Sequence, residues 1–223
     1  MPPKILSLDS STEACSCAVS VAGEIYEKFE LLPRLHTQFI LPMIKELMQE
    51  RDLRFSDLDA VAVGAGPGSF TGLRIAAGVA QGIAFGADLP LIPVSTLATM
   101  AQQSIKSEEK YVLSCLDARI NEVYWALYSI SEDAIELQGE EQLCKPELVD
   151  LTPDKPCHAV GNGMHFIKQM PAQTQSLIRS YDSEVYPQAA AMTELAIRYF
   201  EQGLTMTPED FSPTYLRNKV TQN

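Results

Sequence analysis

An α/β fold of two similar lobes, each built as βββαβα around a mixed sheet, is predicted by three features of the sequence. The alternation of strands and turns over residues 5–31 recurs over residues 112–137. The string A-V-G-x-G occurs twice, at residues 62–66 and 159–163, each time closing a short apolar run ahead of a helical stretch. Amphipathic helical patterns fill the gaps between these runs. Short apolar strings recur by chance, but matched order in both halves points to duplicated lobes.

Each element has a local reason. Ile5-Leu6-Ser7-Leu8-Asp9 has the composition of a buried strand, Ser10 to Thr12 that of a turn, and residues 15–21 alternate before the turn at Gly23 and the strand 25–31. In the second half, residues 112–117 form the strand, Ala118 and Arg119 open the turn, residues 123–130 form the next strand, and 131–133 turn into 134–137. The helix at 36–51 sets Ile40, Met43, Ile44 and Leu47 at helical spacing. The helix at 188–202 does the same with Met192, Leu195, Ala196 and Tyr199 before Gly203 supplies a stop. Residues 72–86 differ, being apolar or small nearly all round. Gly78, Gly82 and Gly86 stand one turn apart, and Ala76, Ala80 and Ala84 make a second small row, so this helix needs cover on two sides. The polar stretch 104–110 divides the lobes into residues 1–105 and 106–223.

With 223 residues, 46% hydrophobic and 21% charged, the chain has enough apolar mass for two small cores. Its net charge of −12, with 17 scattered Lys and Arg, lacks the electrostatic footprint of a chain that grips phosphate backbones alone, so contact with nucleic acid is expected to be indirect. Between Lys4 and Asp9 lie only four apolar-leaning positions, too short for a signal or membrane segment, which predicts a cytoplasmic chain. The five cysteines, Cys15, Cys17, Cys115, Cys144 and Cys157, are odd in number and dispersed, as suits reduced, buried thiols. Cys15 and Cys17 share a strand face, but a metal reading lacks further Cys or His nearby.

The strongest local signal is the glycine-rich loop at residues 64–72, G-A-G-P-G-S-F-T-G, between a strand and a helix start. Its amides at Gly66 and Gly68, with the helix dipole, could cradle an anion. The other reading is that these glycines let backbone pass close to backbone. No Lys-Ser or Lys-Thr pair follows, so it is not a P-loop, and Pro67 and Thr71 replace the glycines of a nucleophile elbow around Ser69. Asp9 stands beside Ser10, Ser11 and Thr12, a grouping that serves magnesium and phosphate in phosphoryl-transfer enzymes and equally makes an ordinary Asx or ST turn. Asp117 is its equivalent in the second half; two such carboxylates facing one cleft would make a metal pair, unless Arg119 neutralises the second. His36, His158 and His165 show no ligand spacing, and His36 fits a helix-terminal or interface residue. No catalytic residue, metal or cofactor is assigned.

Five motifs together carry a likeness over nearly the whole chain: I-L-S-L-D-S-S-T from Ile5, G-P-G-S-F-T-G-L-R-I-A at 66–76, P-L-I-P-V-S-T-L from Pro90, D-A-R-x-x-E-V-Y at 117–124 and P-T-Y-L-R at 213–217. The chain resembles the bacterial TsaB (YeaZ) family. The resemblance implies an actin-like ATPase (ribonuclease H-like) fold and a role in making N6-threonylcarbamoyladenosine, next to the anticodon, in tRNAs that read codons beginning with A. It also implies a TsaD-like catalytic subunit that transfers the threonylcarbamoyl group from an adenylate, and a TsaE-like ATPase that joins the pair. The catalytic relative holds its metal with an H-x-x-x-H pair, where this chain has T-L-A-T-M at residues 96–100. Thr96 and Met100 are poor substitutes for two imidazoles, so the implied role is that of an inactive accessory subunit.

In that family the partners meet through two helices from each. Here the helices at 36–51 and 72–86 are the counterparts, with Ile40, Ile44, Leu47, Ala76, Gly78, Val79, Gly82, Ile83 and Gly86 as the expected docking residues. A Gly- and Ala-coated helix permits close approach to another helix; alternatively the small rows pack only on this lobe's own sheet. A partner of the same fold also implies a homodimer through the same face. The rival functions are a small-molecule kinase of the actin-like superfamily, with Asp9 and Asp117 lining an ATP-magnesium cleft, and a glycoprotease-like peptidase.

Overall fold

The computed structural model of the chain describes residues 2–132, 134–151 and 155–217. In chain order its main elements are β1 (Ile5–Asp9), β2 (Ala14–Val21), β3 (Glu24–Leu31), α1 (His36–Glu50), β4 (Ala60–Gly66), α2 (Phe70–Ala87), β5 (Leu91–Ser95) and α3 (Thr96–Gln102). They continue with β6 (Tyr111–Arg119), β7 (Glu122–Ser131), β8 (Ala134–Cys144), β9 (Cys157–Val160), α4 (Ala172–Leu177), β10 (Ile178–Asp182) and α5 (Ala189–Glu201).

The chain forms two compact units, Met1–Thr99 with Pro187–Thr214, and Met100–Tyr186 with Tyr215–Asn223. This differs from one cut between residues 105 and 106, because α5 belongs to the first unit. The cause lies in β1, β2 and β3, which supply the groups α5 needs. Ser7 Oγ meets the Thr193 hydroxyl at 2.7 Å. The first amides of α5, which Gln188 leaves without a side-chain cap, donate instead to Ser16 Oγ (from Ala189, 3.0 Å) and to the Glu27 carboxylate (from Ala190, 2.8 Å).

In the first unit the sheet order is β3-β2-β1-β4-β5, with β1 antiparallel to β2 and parallel to β4. One sheet face carries Leu6, Leu8, Cys15, Cys17, Val19, Val61 and Val63, which share a core with Ile40, Ile44 and Leu47 of α1 and the alanine row of α2. The period of 2 in the strands and of 3.6 in the helices therefore meets at one apolar layer.

The second unit repeats the topology as β10-β9-β6-β7-β8, with β6 antiparallel to β7 and parallel to β9. The two sheets match strand for strand, and the duplication inferred from the A-V-G-x-G echo stands at the level of strand order. The helical cover differs. The first unit has residues 32–59, twenty-eight in all, between its third and fourth strands, and folds α1 there; the second has residues 145–156, twelve in all. Of those twelve, the described residues form a single turn of 3-10 helix, Pro146–Leu148. β8 also runs past the expected end at Leu137, because Gly139 at φ +86° lets the strand continue through an irregularity in its pairing with β7.

Candidate functional site

The two rows of small residues on α2 have opposite fates. Ala76, Ala80 and Ala84 are buried against the first unit's sheet. Gly78, Gly82 and Gly86 face outward, and a Cβ added at any of them would meet nothing within 4 Å. α2 starts on Ser69, whose side chain accepts the Gly72 amide at 3.3 Å, and ends on Asp88 in the left-handed region at φ +56°. Each interior glycine costs a helix ~1 kcal/mol relative to alanine. No contact within the described residues offsets that cost for these three.

Their row forms the floor of a groove of about 490 Å³ lined by Leu41, Phe55, Val79 and Ile83 among others. Of its lining, Leu41 is 53% exposed. Of the docking residues expected from the sequence, Gly78, Val79, Gly82, Ile83 and Gly86 line this groove. Ile40, Ile44, Leu47 and Ala76 do not: each is about 1% exposed inside the unit's own core. The stripe at helical spacing on α1 is the core stripe. The outward apolar positions of α1, Phe39 and Leu41, lie off that stripe and were not singled out; their signal was apolar character where the period calls for polar residues.

The glycine-rich loop has a different character. Asp9 ends β1 with its carboxylate fully buried, Oδ1 accepting both the Ser11 amide and the Ser11 hydroxyl at 2.7 Å. Oδ2 has no hydrogen-bond partner. Burial pushes the carboxyl up from the ordinary 3.8 to about 6, against the pull of the Ser11 bonds. A Cβ at Gly64 would sit 2.0 Å from Asp9 Oδ2, one at Gly68 2.5 Å from the Ser11 carbonyl, one at Gly72 1.9 Å from the Ser10 carbonyl, and one at Gly66 2.8 Å from the Thr214 carbonyl. The Ser69 amide donates to Ser11 O at 2.7 Å and the Ser10 hydroxyl to Gly72 O at 2.8 Å. The glycines are thus spent on close passage of the chain past itself. Among the described residues no three His, Cys, Asp or Glu side chains gather to hold a metal ion.

Asp117, in the second unit, is an Asx turn. Its Oδ1 accepts the Arg119 amide at 2.7 Å, Arg119 Nη1 lies 3.4 Å from Oδ2, and its own amide donates to Asn162 Oδ1 at 2.8 Å. The motifs D-A-R-x-x-E-V-Y and P-T-Y-L-R meet here, since Arg217 donates to the Ala118 carbonyl at 3.2 Å and pairs with Glu122. His36 is buried at the first position of α1, its Nε2 3.2 Å from the Ala14 carbonyl, which ties the start of α1 to β2. Cys15 and Cys17 lie in the core, their thiols pushed up to about 12 chiefly by burial. Among the described residues no helix is long and apolar enough to cross a membrane.

Two matched five-stranded mixed sheets with helical cover define the actin-like class of two-lobed α/β proteins. Residues 30–222 match the model of the family described as TsaD, tRNA N6-adenosine threonylcarbamoyltransferase. The chain is 42% identical to the tRNA threonylcarbamoyladenosine biosynthesis protein TsaB of Escherichia coli K12, over 97% of this chain and 96% of that one. It is 40% identical to TsaB of Haemophilus influenzae over 97% and 94%. YeaZ from Pseudomonas aeruginosa superposes with a TM-score of 0.91 at 36% identity, covering 96% of this chain and 100% of that one. The chain belongs to the TsaB (YeaZ) family.

Proposed function

We propose that this chain serves tRNA N6-threonylcarbamoyladenosine biosynthesis as a non-catalytic subunit, offering the α1–α2 groove of its first unit to a TsaD-like catalytic homologue. The observation that carries the docking reading is the outward glycine row of α2. Three glycines that weaken the helix, and at which an added Cβ would meet nothing within 4 Å among the described residues, make sense where another helix comes within the close distance only glycine permits. Exposed Leu41 and Phe85 beside them add apolar area that an opposing helix would cover.

The inactive reading is supported by Thr96 and Met100, both fully buried, where the resemblance aligns the catalytic subunit's imidazoles. A TsaE-like ATPase joins the pair, tRNA meets the assembly mainly through the other subunits, and the chain alone forms a homodimer through the same groove in the cytoplasm. The acidic balance of the chain, −12, suits a subunit that leaves the grip on tRNA phosphates to others.

The deciding experiment is reconstitution. Threonylcarbamoyl transfer to tRNA by the TsaD-like and TsaE-like proteins is measured with and without this chain, and with this chain alone. Transfer that needs the chain yet is absent when it is alone fits the proposal. Transfer by the chain alone, or full transfer without it, rules it out.

A further inference from the structure

The Asp9 carboxylate lies at the root of α2 without being part of the docking groove. Ser11 connects the two: its amide and hydroxyl hold Asp9 Oδ1, and its carbonyl holds the amide of Ser69, the residue that caps α2. Ser10, next in the same turn, donates to the Gly72 carbonyl in the first turn of α2. Asp9 Oδ2 lies against Gly64 main chain, buried and without a partner. One oxygen of this carboxyl is thus satisfied twice and the other not at all, in a space too tight for even a methyl group on Gly64.

We propose that Asp9 is a proton-operated latch under the start of α2. With a proton on its carboxyl the Ser11–Ser69 tie stays closed. Ionisation favours local opening of the loop 64–72, which lets water reach Oδ2 and loosens the first turn of the helix.

The direction follows from linkage. The carboxyl binds its proton more tightly in the closed loop, at about 6, than in the open one, at the ordinary 3.8. Closure is therefore favoured at low pH, and the advantage is lost as pH rises through this window. Few other ionisable groups face the site. The loop 64–72 contains none. Cys15 on β2 feels the Asp9 charge but keeps its proton, its thiol pushed up to about 12, chiefly by burial. Glu13 in the adjoining turn and Arg74 in α2 have no part in setting the Asp9 shift, and Thr193 of α5 meets β1 through a neutral hydroxyl contact.

Hydrogen exchange of the isolated full-length chain tests the latch and needs no partner, so its outcome is separate from that of the docking proposal. With intrinsic exchange rates divided out, the opening constants at Ser69 and Gly72 should rise roughly tenfold between about pH 5 and about pH 7, and should stay larger than those of the α1 core amides near Ile44 and Leu47, which open only with the whole unit. Asp9→Asn should remove the pH dependence at the loop. A flat profile in the native chain, the same slope in Asp9→Asn, or opening of Ser69 and Gly72 only together with the α1 core, at the same opening constant, overturns the proposal. If Asp9→Asn does not fold, carbon-13 titration of the Asp9 carboxyl in the native chain decides, and a carboxyl that keeps one charge state across the same range overturns it.

Discussion

Arg217 pairs with Glu122 across ninety-five positions of sequence and also donates to the Ala118 carbonyl, so one guanidinium fastens the last described residue to the hairpin between β6 and β7. Both side chains are only a quarter to a third exposed, 24% and 31%, which places the pair between the weak surface class and the costly buried one. Arg217→Ala should lower stability by about 1–2 kcal/mol, and adding Glu122→Gln should cost less than the sum of the two single changes. Urea unfolding of the four forms measures this; strict additivity would show that the pair contributes nothing.

Glycines along residues 64–86 should respond in opposite ways to one methyl group. Gly82→Ala meets open space on a helix and should raise stability by about 0.5–1 kcal/mol. Gly64→Ala drives its Cβ into the Asp9 carboxylate and should cost about 3 kcal/mol or more. Thermal melts of the two variants compare them directly.

The same groove separates binding from folding. Gly82→Glu places a charge on the groove floor and should abolish pairing with a TsaD-like subunit, and self-pairing, while the circular dichroism spectrum and melting temperature stay near native. Size-exclusion chromatography reads the pairing; a heterodimer of unchanged elution volume and stability would remove the groove from the interface.

On α1 the two faces predict a double dissociation. Ile44→Ala opens a cavity in the core and should cost about 2–5 kcal/mol. Leu41→Asp lies on the outward face and should change stability by less than about 0.5 kcal/mol while weakening docking. Calorimetry and partner titration together test the split.

Overall stability should also carry the mark of Asp9. Its folded-state value of about 6, raised from 3.8 by burial, means that stability falls as pH climbs through that interval, to a limit of about 3 kcal/mol. Asp57 works the other way at lower pH: hydrogen bonds from Arg54 hold it at about 2, so its contribution is present above 3.8 and lost as pH falls toward 2. The difference between native and Asp9→Asn urea midpoints, followed from about pH 4 to about pH 7, isolates the first effect, because Asp57 is common to both.

The succession of strands along each half was legible because buried strands and turn residues leave short-range marks, and the A-V-G-x-G echo matched one half to the other. The return of α5 to the first unit was not, since its cause is long-range: hydroxyls of Ser7 and Ser16 and the carboxylate of Glu27, each ordinary in its local string. On the two helices that the resemblance singles out, spacing gave a glycine row on α2, which the structure leaves exposed, and an apolar stripe on α1, which it buries. Periodicity reports that a helix has an apolar face. It does not tell which of two apolar faces meets its own sheet when both exist. The glycine loop carried two readings, and only the carbonyls of Ser10, Ser11 and Thr214 facing it separate them.

The placement of α5 has a consequence for biosynthesis. The ribosome delivers β1 to β5 early, yet the hydroxyl-bearing side of that sheet stays bare until residue 201 has emerged. The sheet made first therefore waits for a helix made long after it, and a nascent chain halted between β5 and α5 would carry an unroofed sheet.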